Sequence, residues 1–252
     1  MEGNLKVILC GANGVMGHVV SDYIMKRDDA EIIAGIDKNT EEYAGFFIFP
    51  DPSQCDVAGD VIIDFSKPEC TVAALEYAVQ KGLPIVVATT GLSDDDIEKL
   101  KAAAEKIPVF WSSNMSIGVN LLTELARRAA RALSPDFDVE IIETHHNRKV
   151  DAPSGTALMI ADAVSEEMGG GMNYVYDRHS EKRRRDKKDI GISSVRGGTI
   201  VGEHKVLFAG EDEMLILEHR AMSRTIFAAG ALNAAVFLTN QGPGLYDMGD
   251  MI

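Results

Sequence analysis

The sequence predicts an α/β protein: a doubly wound parallel sheet in the first half, followed by a second α+β domain built on a mixed sheet. Three observations predict it. Short apolar runs alternate with helical periodicity from Lys6 to Trp111, at the spacing of repeated β-α units. After about residue 117 this rhythm gives way to a long amphipathic helix and longer strands. The length of 252 residues suits one large α/β domain or two modest ones.

The elements follow in order. Lys6–Cys10 is an apolar run of the kind buried in a parallel sheet, and it ends at Gly11. Val19–Arg27 is helical in pattern, and Glu31–Ile36 is a second strand ending at Asp37. Asp60–Phe65 is a strand followed by a helix over Glu69–Lys81; Pro84–Ala88 is a strand ending at Thr89-Thr90-Gly91. Ser93 with Asp94–Asp96 is an N-cap and acidic first turn for a helix over Ile97–Lys106. Pro108–Trp111 is the last strand of the series. Gly118–Leu133 is then an amphipathic helix, Val139–Thr144 a strand running into His145, and Ser154–Met168 a helix broken by Gly169-Gly170-Gly171. Ile190–Arg196, Thr199–Phe208 and Glu213–His219 read as strands, and Phe227–Leu238 is a closing helix rich in small residues. The expected division is 1–116 as a dinucleotide-binding domain, rejoined by 227–252, and 117–226 as a substrate-binding and oligomerisation domain.

Composition narrows the function classes. Hydrophobic residues make up 46% and charged residues 25%, ordinary for a globular chain. The three cysteines, Cys10, Cys55 and Cys70, have no metal-ligand spacing, and their odd number favours reduced thiols in a cytoplasm. No run reaches the roughly 18 apolar residues of a membrane helix, and Met1–Lys6 lacks a leader pattern, so a soluble cytoplasmic protein is expected. A formal net charge of −14 repels nucleic acid and anionic membranes.

Gly11-Ala12-Asn13-Gly14-Val15-Met16-Gly17 follows a strand and opens a helix, as a Rossmann-type dinucleotide fingerprint does. Its first glycine allows a tight turn, its second a close approach to a pyrophosphate, its third close helix–sheet packing, while the helix start offers N–H groups to phosphate. Asp37 ends the next strand where a ribose acceptor is expected; Lys38 beside it can offset a 2′-phosphate. NADH and NADPH both stay open. Ala88-Thr89-Thr90 and Ser112-Ser113-Asn114-Met115 sit at strand ends, where their hydroxyls and amide can order a nicotinamide ribose. Ordinary turn chemistry explains these two loops equally well.

The densest chemical signal is Glu143-Thr144-His145-His146-Asn147-Arg148-Lys149-Val150-Asp151-Ala152-Pro153-Ser154-Gly155-Thr156-Ala157. Two histidines, an arginine and a lysine lie within five positions of an acidic chain. No third and fourth ligand follow at a spacing that suits zinc, so no metal is expected. Asp151 or Ser154 can cap the next helix, with Pro153 in its first turn. Gly155 and Thr156 then face an anion, and Lys149 and His146 can aim at the same place. The segment reads as a small-carboxylate site with a proton donor beside it.

This segment closely resembles the signature of the 4-hydroxy-tetrahydrodipicolinate (dihydrodipicolinate) reductases, and the resemblance runs through the whole chain. The glycine fingerprint, Ala88–Gly91, Ser112–Gly118, Arg196-Gly197-Gly198 with Val201–His204, His219-Arg220-Ala221 with Arg224, and Gly244–Met248 are all similar to family motifs. The resemblance implies an NAD(P)H-dependent reduction in diaminopimelate and lysine biosynthesis. The substrate is a cyclic dicarboxylate whose hydroxyl leaves as water. It implies His145 as proton donor and acceptor, Lys149 as second donor, and His146, Gly155 and Thr156 as ligands of the dicarboxylate. It implies a cofactor held by Gly11–Met16, Asp37, Lys38, Ala88–Thr90 and Ser112–Met115, and a homotetramer joined through the second domain's sheet. Val15 stands where the family often has arginine, and Ala88 where it has glycine. Two rivals remain at this stage: another oxidoreductase of the same fold acting on a different small acid, and a redox-sensing nucleic-acid binder whose support is the basic run Lys182–Lys188.

Overall fold

The computed structural model describes residues 4–180 and 182–252. Met1–Gly3, part of the Met1–Lys6 stretch expected to lack a leader pattern, and Glu181, at the head of the basic run, lie outside the described residues. In chain order the elements are β1 (Leu5–Cys10), α1 (Val15–Ile24), β2 (Ala30–Ile36), β3 (Ile48–Phe49), β4 (Val61–Asp64), α2 (Pro68–Lys81) and β5 (Ile85–Val87). Then come α3 (Asp94–Ala104), β6 (Pro108–Trp111), α4 (Ile117–Leu133), β7 (Asp138–His145), α5 (Gly155–Glu167), β8 (Asn173–Val175) and β9 (Asp189–Arg196). The last are β10 (Gly202–Ala209), β11 (Met214–Ala221), α6 (Thr225–Leu238) and β12 (Gly244–Tyr246). The chain forms two compact units, Met1–Ile117 with Arg224–Ile252, and Gly118–Ser223.

The first unit is a parallel sheet of order β12-β6-β5-β4-β1-β2-β3. Its strands alternate two apolar faces. Val7 and Leu9 pack with Val20 and Ile24 of α1 and Ala231 and Leu238 of α6; Ile8 and Cys10 pack with Ala74 of α2 and Leu100 of α3. Burial on both faces explains the unbroken apolar runs. The strand order reverses between β1 and β4, the kind of switch point at which open parallel sheets bind ligands at their carboxyl ends.

The second unit has a mixed sheet of order β11-β10-β7-β9-β8, antiparallel at β7–β10 and β10–β11, parallel at β7–β9 and β8–β9. Leu122 and Ala126 of α4 and Ile160 and Val164 of α5 bury one face against Val139, Ile141, Ile192, Val206 and Phe208. The opposite face carries Val195, Met214 and Ile216, which stay exposed.

Some boundaries differ from the sequence expectation. Helix α1 starts at Val15, with Gly14 as its N-cap, rather than at Val19. The apolar period marks only the buried residues Val20 and Ile24, not the turn that leaves the glycine loop. Strand β10 starts at Gly202 rather than Thr199, because the preceding glycines are tied to the end of β7: Gly197 N donates to His145 O and Asn147 N to Gly198 O. Ser154 caps α5, its hydroxyl accepting from Ala157 N, so Pro153 precedes the helix instead of entering its first turn. Strands β3, β8 and β12 have two or three residues, too few to show a period.

Candidate active site

The glycine loop of the first unit is built by close contact. Gly11 has φ +74, and a Cβ there would meet Phe65 O at 2.8 Å; a Cβ on Gly17 would meet Gly11 O at 2.2 Å. Only glycine fits both places, so the loop stays flat against the carboxyl end of β4 and α1 starts close to the sheet. Val15 is exposed at the helix start, where an anion is favoured, and Met16 is half-buried.

Asp37 braces this loop. One carboxylate oxygen accepts from Asn13 N at 3.0 Å and the other from Asn39 N at 3.0 Å. Each oxygen keeps a second lone pair for a ribose hydroxyl. The Asn13 amide reaches Asn39 O and Glu41 O, and His18 stacks on Tyr43 with centroids 3.9 Å apart. The segment after β2 is thus pinned to the glycine loop. Lys38 is exposed.

The other two loops differ from the sequence expectation in what they offer. Thr89 is buried, and its hydroxyl lies 3.1 Å from Asp64 Oδ2 and 2.9 Å from Thr71 Oγ1, so it is turned into the interior rather than toward a nicotinamide. Burial raises the Asp64 carboxyl, against the lowering pull of Ser66, Thr71 and Thr89. Ala88 is buried as well, while Thr90 is exposed. Ser112 Oγ bonds Asn114 O at 2.9 Å and closes its own turn, Asn114 accepts from Ser116 N, and the Met115 side chain lies in the core. Ser113 is exposed. Any contact from Ala88 and Met115 is therefore through backbone.

The second unit holds the chemical cluster. Glu143 and His145 are two apart on β7, so they share one side of the sheet. Glu143 is fully buried. Its Oε2 accepts from His145 Nδ1 at 2.5 Å and Arg196 Nη1 at 2.8 Å; its Oε1 accepts from Arg196 Nη2 at 2.7 Å and Ser154 N at 3.1 Å. Burial alone would raise this carboxyl, but hydrogen bonds from Arg196, Ser194 and His145 outweigh it and hold it at about 2. An ionised Glu143 sets the tautomer of His145, with the proton on Nδ1 and Nε2 left for exchange. Burial lowers the pKa of His145; Glu143 opposes this, and Lys149 and Arg196 add to it.

Two further histidines line the row. The ring of His204 meets His145 edge-on, centroids 5.2 Å apart, and its Nε2 lies 3.0 Å from Ser154 Oγ. Burial and the charge of His145 push His204 down to about 4. His219 pairs with His204 across β10 and β11. Lys149 Nζ pairs with Asp151 Oδ2 at 2.8 Å, which draws Asp151 away from the capping role. His146 Nδ1 is buried with no partner, as is Arg196 Nε. Gly155 opens α5 and Thr156 follows it, at the positive end of the helix dipole. No group of three or more His, Cys, Asp or Glu side chains among the described residues is placed to hold a metal ion.

Sequence reasoning missed Glu143, Arg196 and His204 as site residues. The strand period of two was the available signal for Glu143 beside His145. Arg196 and His204 lie in a stretch already similar to a family motif, but nothing in the sequence tells that β9 and β10 bring them to Glu143 and His145.

The family model described as Dihydrodipicolinate reductase, N-terminus, matches residues 5–115, and that described as Dihydrodipicolinate reductase, C-terminus, matches residues 118–252. The chain belongs to the dihydrodipicolinate reductase family. A 4-hydroxy-tetrahydrodipicolinate reductase from Caldanaerobacter subterraneus subsp. tengcongensis is 45% identical over 248 residues, covering 98% of each chain. One of the same name from Caulobacter vibrioides is 43% identical over 256 positions, covering 100% of this chain and 98% of its own. The structure of dipicolinate-bound dihydrodipicolinate reductase from Paenisporosarcina sp. TG-14 matches with a TM-score of 0.82 at 25% identity, covering 99% of this chain and 100% of that one. A myo-inositol dehydrogenase from Corynebacterium glutamicum, TM-score 0.58 at 19% identity, shares the fold alone. As a dihydrodipicolinate reductase family member, the chain is an NAD(P)H-dependent oxidoreductase.

Proposed function

We propose that the chain reduces 4-hydroxy-tetrahydrodipicolinate to tetrahydrodipicolinate with loss of water, using NADH or NADPH, in diaminopimelate and lysine biosynthesis. The observation that carries the reading is the His145 imidazole, tied through Nδ1 to a buried carboxylate so that Nε2 is the exchanging atom. NAD(P)H, when bound, supplies the hydride. Loss of the substrate hydroxyl as water leaves a conjugated imine, and hydride arriving there builds negative charge at the far end of the conjugated system. His145, with Lys149 as second donor, delivers the proton that quenches it, and solvent returns the proton to the enzyme. His146, Gly155 and Thr156 hold the two carboxylates; the unpartnered Nδ1 of His146 and the start of α5 support this role. Gly11–Met16, Asp37, Lys38, Ala88–Thr90 and Ser112–Met115 hold the cofactor, with the buried Ala88, Thr89 and Met115 contributing through their backbone.

The unit Met1–Ile117 with Arg224–Ile252 is assigned to the cofactor and Gly118–Ser223 to the dicarboxylate and oligomerisation. A homotetramer and a cytoplasmic location complete the reading. Exposed apolar residues on the sheet of the second unit support the first, and three unpaired cysteines the second. No described helix is long and apolar enough to cross a membrane.

The test is a coupled assay with the aldolase-type synthase that makes the substrate, following NADH and NADPH oxidation. Wild-type protein should turn over. His145→Ala and Lys149→Ala should each lose about 10²–10⁴-fold in kcat. Near-wild-type kcat in both variants would remove the proton-donor assignment.

A further inference from the structure

We propose that Glu143, clamped by Arg196, is the positioning residue of this site: one buried carboxylate orients the ring of His145 and anchors the start of α5 together. The inference rests on the reading of His145 as proton donor. Four donors converge on Glu143: His145 Nδ1, both terminal nitrogens of Arg196, and Ser154 N. The first bond sets which ring nitrogen exchanges protons. The last attaches the cap residue of the anion-binding helix to the same carboxylate. Arg196 extends the arrangement, because its Nη2 also donates at 2.6 Å to the backbone O of Asp151, the residue whose carboxylate pairs with Lys149. Proton donor, helix start and lysine loop are thus tied to one carboxylate–guanidinium pair.

A carboxylate this deeply buried is costly unless its bonds are complete. Apart from Ser194, each of its donors is a group that the reaction uses or that holds such a group. Packing alone would be served as well by an apolar side chain.

The charged and titratable groups around His145 are Glu143 on β7, Arg196 on β9, His204 on β10 and Lys149 on the following loop. His219 on β11 pairs with His204, and Asp151 pairs with Lys149. Glu143 is the one that favours the imidazolium; Lys149 and Arg196 oppose it. Two near-isosteric changes should therefore act with opposite sign. Glu143→Gln removes the favourable charge, and the titration midpoint of His145 should fall by about a unit. Arg196→Gln removes an opposing charge, and the midpoint should rise. In Glu143→Gln the alkaline limb of kcat should also move to lower pH, because His145 must be protonated to act as an acid. Its kcat at neutral pH should fall about tenfold or more.

The experiment is histidine-labelled NMR of the intact chain over pH, with His145→Gln to assign the resonance. A downward shift in Glu143→Gln and an upward shift in Arg196→Gln support the proposal. Unmoved midpoints, or shifts of one sign, overturn it. If Glu143→Gln does not fold, the upward shift in Arg196→Gln decides, and its absence overturns the proposal. This readout needs no turnover. Full kcat in His145→Ala would remove the proton-donor reading and leave the titration shifts standing; unshifted titrations would do the reverse.

Discussion

At the scale of single residues, His145 is confined on three sides. Glu143 takes Nδ1, His204 meets the ring edge-on, and Gly202 lies over the remaining nitrogen. A Cβ at Gly202 would stand 3.0 Å from His145 Nε2 and 3.3 Å from its Cδ2. Gly202→Ala should therefore tilt the ring off the Glu143 bond and occupy the approach to Nε2. We expect about a tenfold loss of kcat, worth about 1.4 kcal/mol, with the melting temperature nearly unchanged. Full activity in this variant would show that Nε2 is not the exchanging atom.

At the scale of elements, β7 is the centre of the second unit. Its inward residues Val139 and Ile141 belong to the core, and the same alternation then brings Glu143 and His145 to the site. Core and chemistry share one strand face. The other face of this sheet supports a different expectation. Val195, Met214 and Ile216 are 48%, 56% and 44% exposed, and β11 is an edge strand. Such a patch on a regular sheet suits a second copy of the same face. Sedimentation should give the tetramer mass, and Ile216→Glu should lower it to dimer or monomer. A wild-type monomer at micromolar concentration would remove the oligomer proposal.

At the scale of the whole molecule, the buried ionisable groups set the response to acid. Glu143 sits at about 2 when folded against an ordinary 4.5, so its contribution is full above pH 4.5 and is lost as pH falls toward 2. His204 is held at about 4 against 6.5, so it stays neutral where the unfolded chain takes up a proton. Its contribution is full above pH 6.5 and is lost between pH 6.5 and 4. Asp64, raised by burial, works the other way. The denaturant midpoint should hold steady from pH 8 to 7 and fall progressively below pH 6.5. His204→Gln should flatten the upper part of that fall. A midpoint constant from pH 6.5 to 4 would contradict the burial of His204 as described.

The amino-acid sequence by itself determined the α/β class, the glycine loop, the strand and helix alternation, and the His145–Thr156 segment. Each depends on residues adjacent in the chain: apolar period, turn glycines, a capping serine. The short strands β3, β8 and β12 escaped because two or three residues carry no period. The tertiary structure alone decided that the Thr89 hydroxyl faces Asp64, and that Ser154, not Asp151, caps α5. It also brought Arg196 and His204 to Glu143 and His145. It decided the fate of the basic run as well: Arg183 pairs with Asp189 of β9, Arg185 with Asp138 and Glu140 of β7, and Lys187 with Asp138, so these side chains are engaged within the second unit. For the contacts at Glu143, His145 and Ser154 Oγ the physical reason is the same. These contacts join strands and loops up to about fifty residues apart, and only strand register and burial determine which distant donor meets which carboxylate.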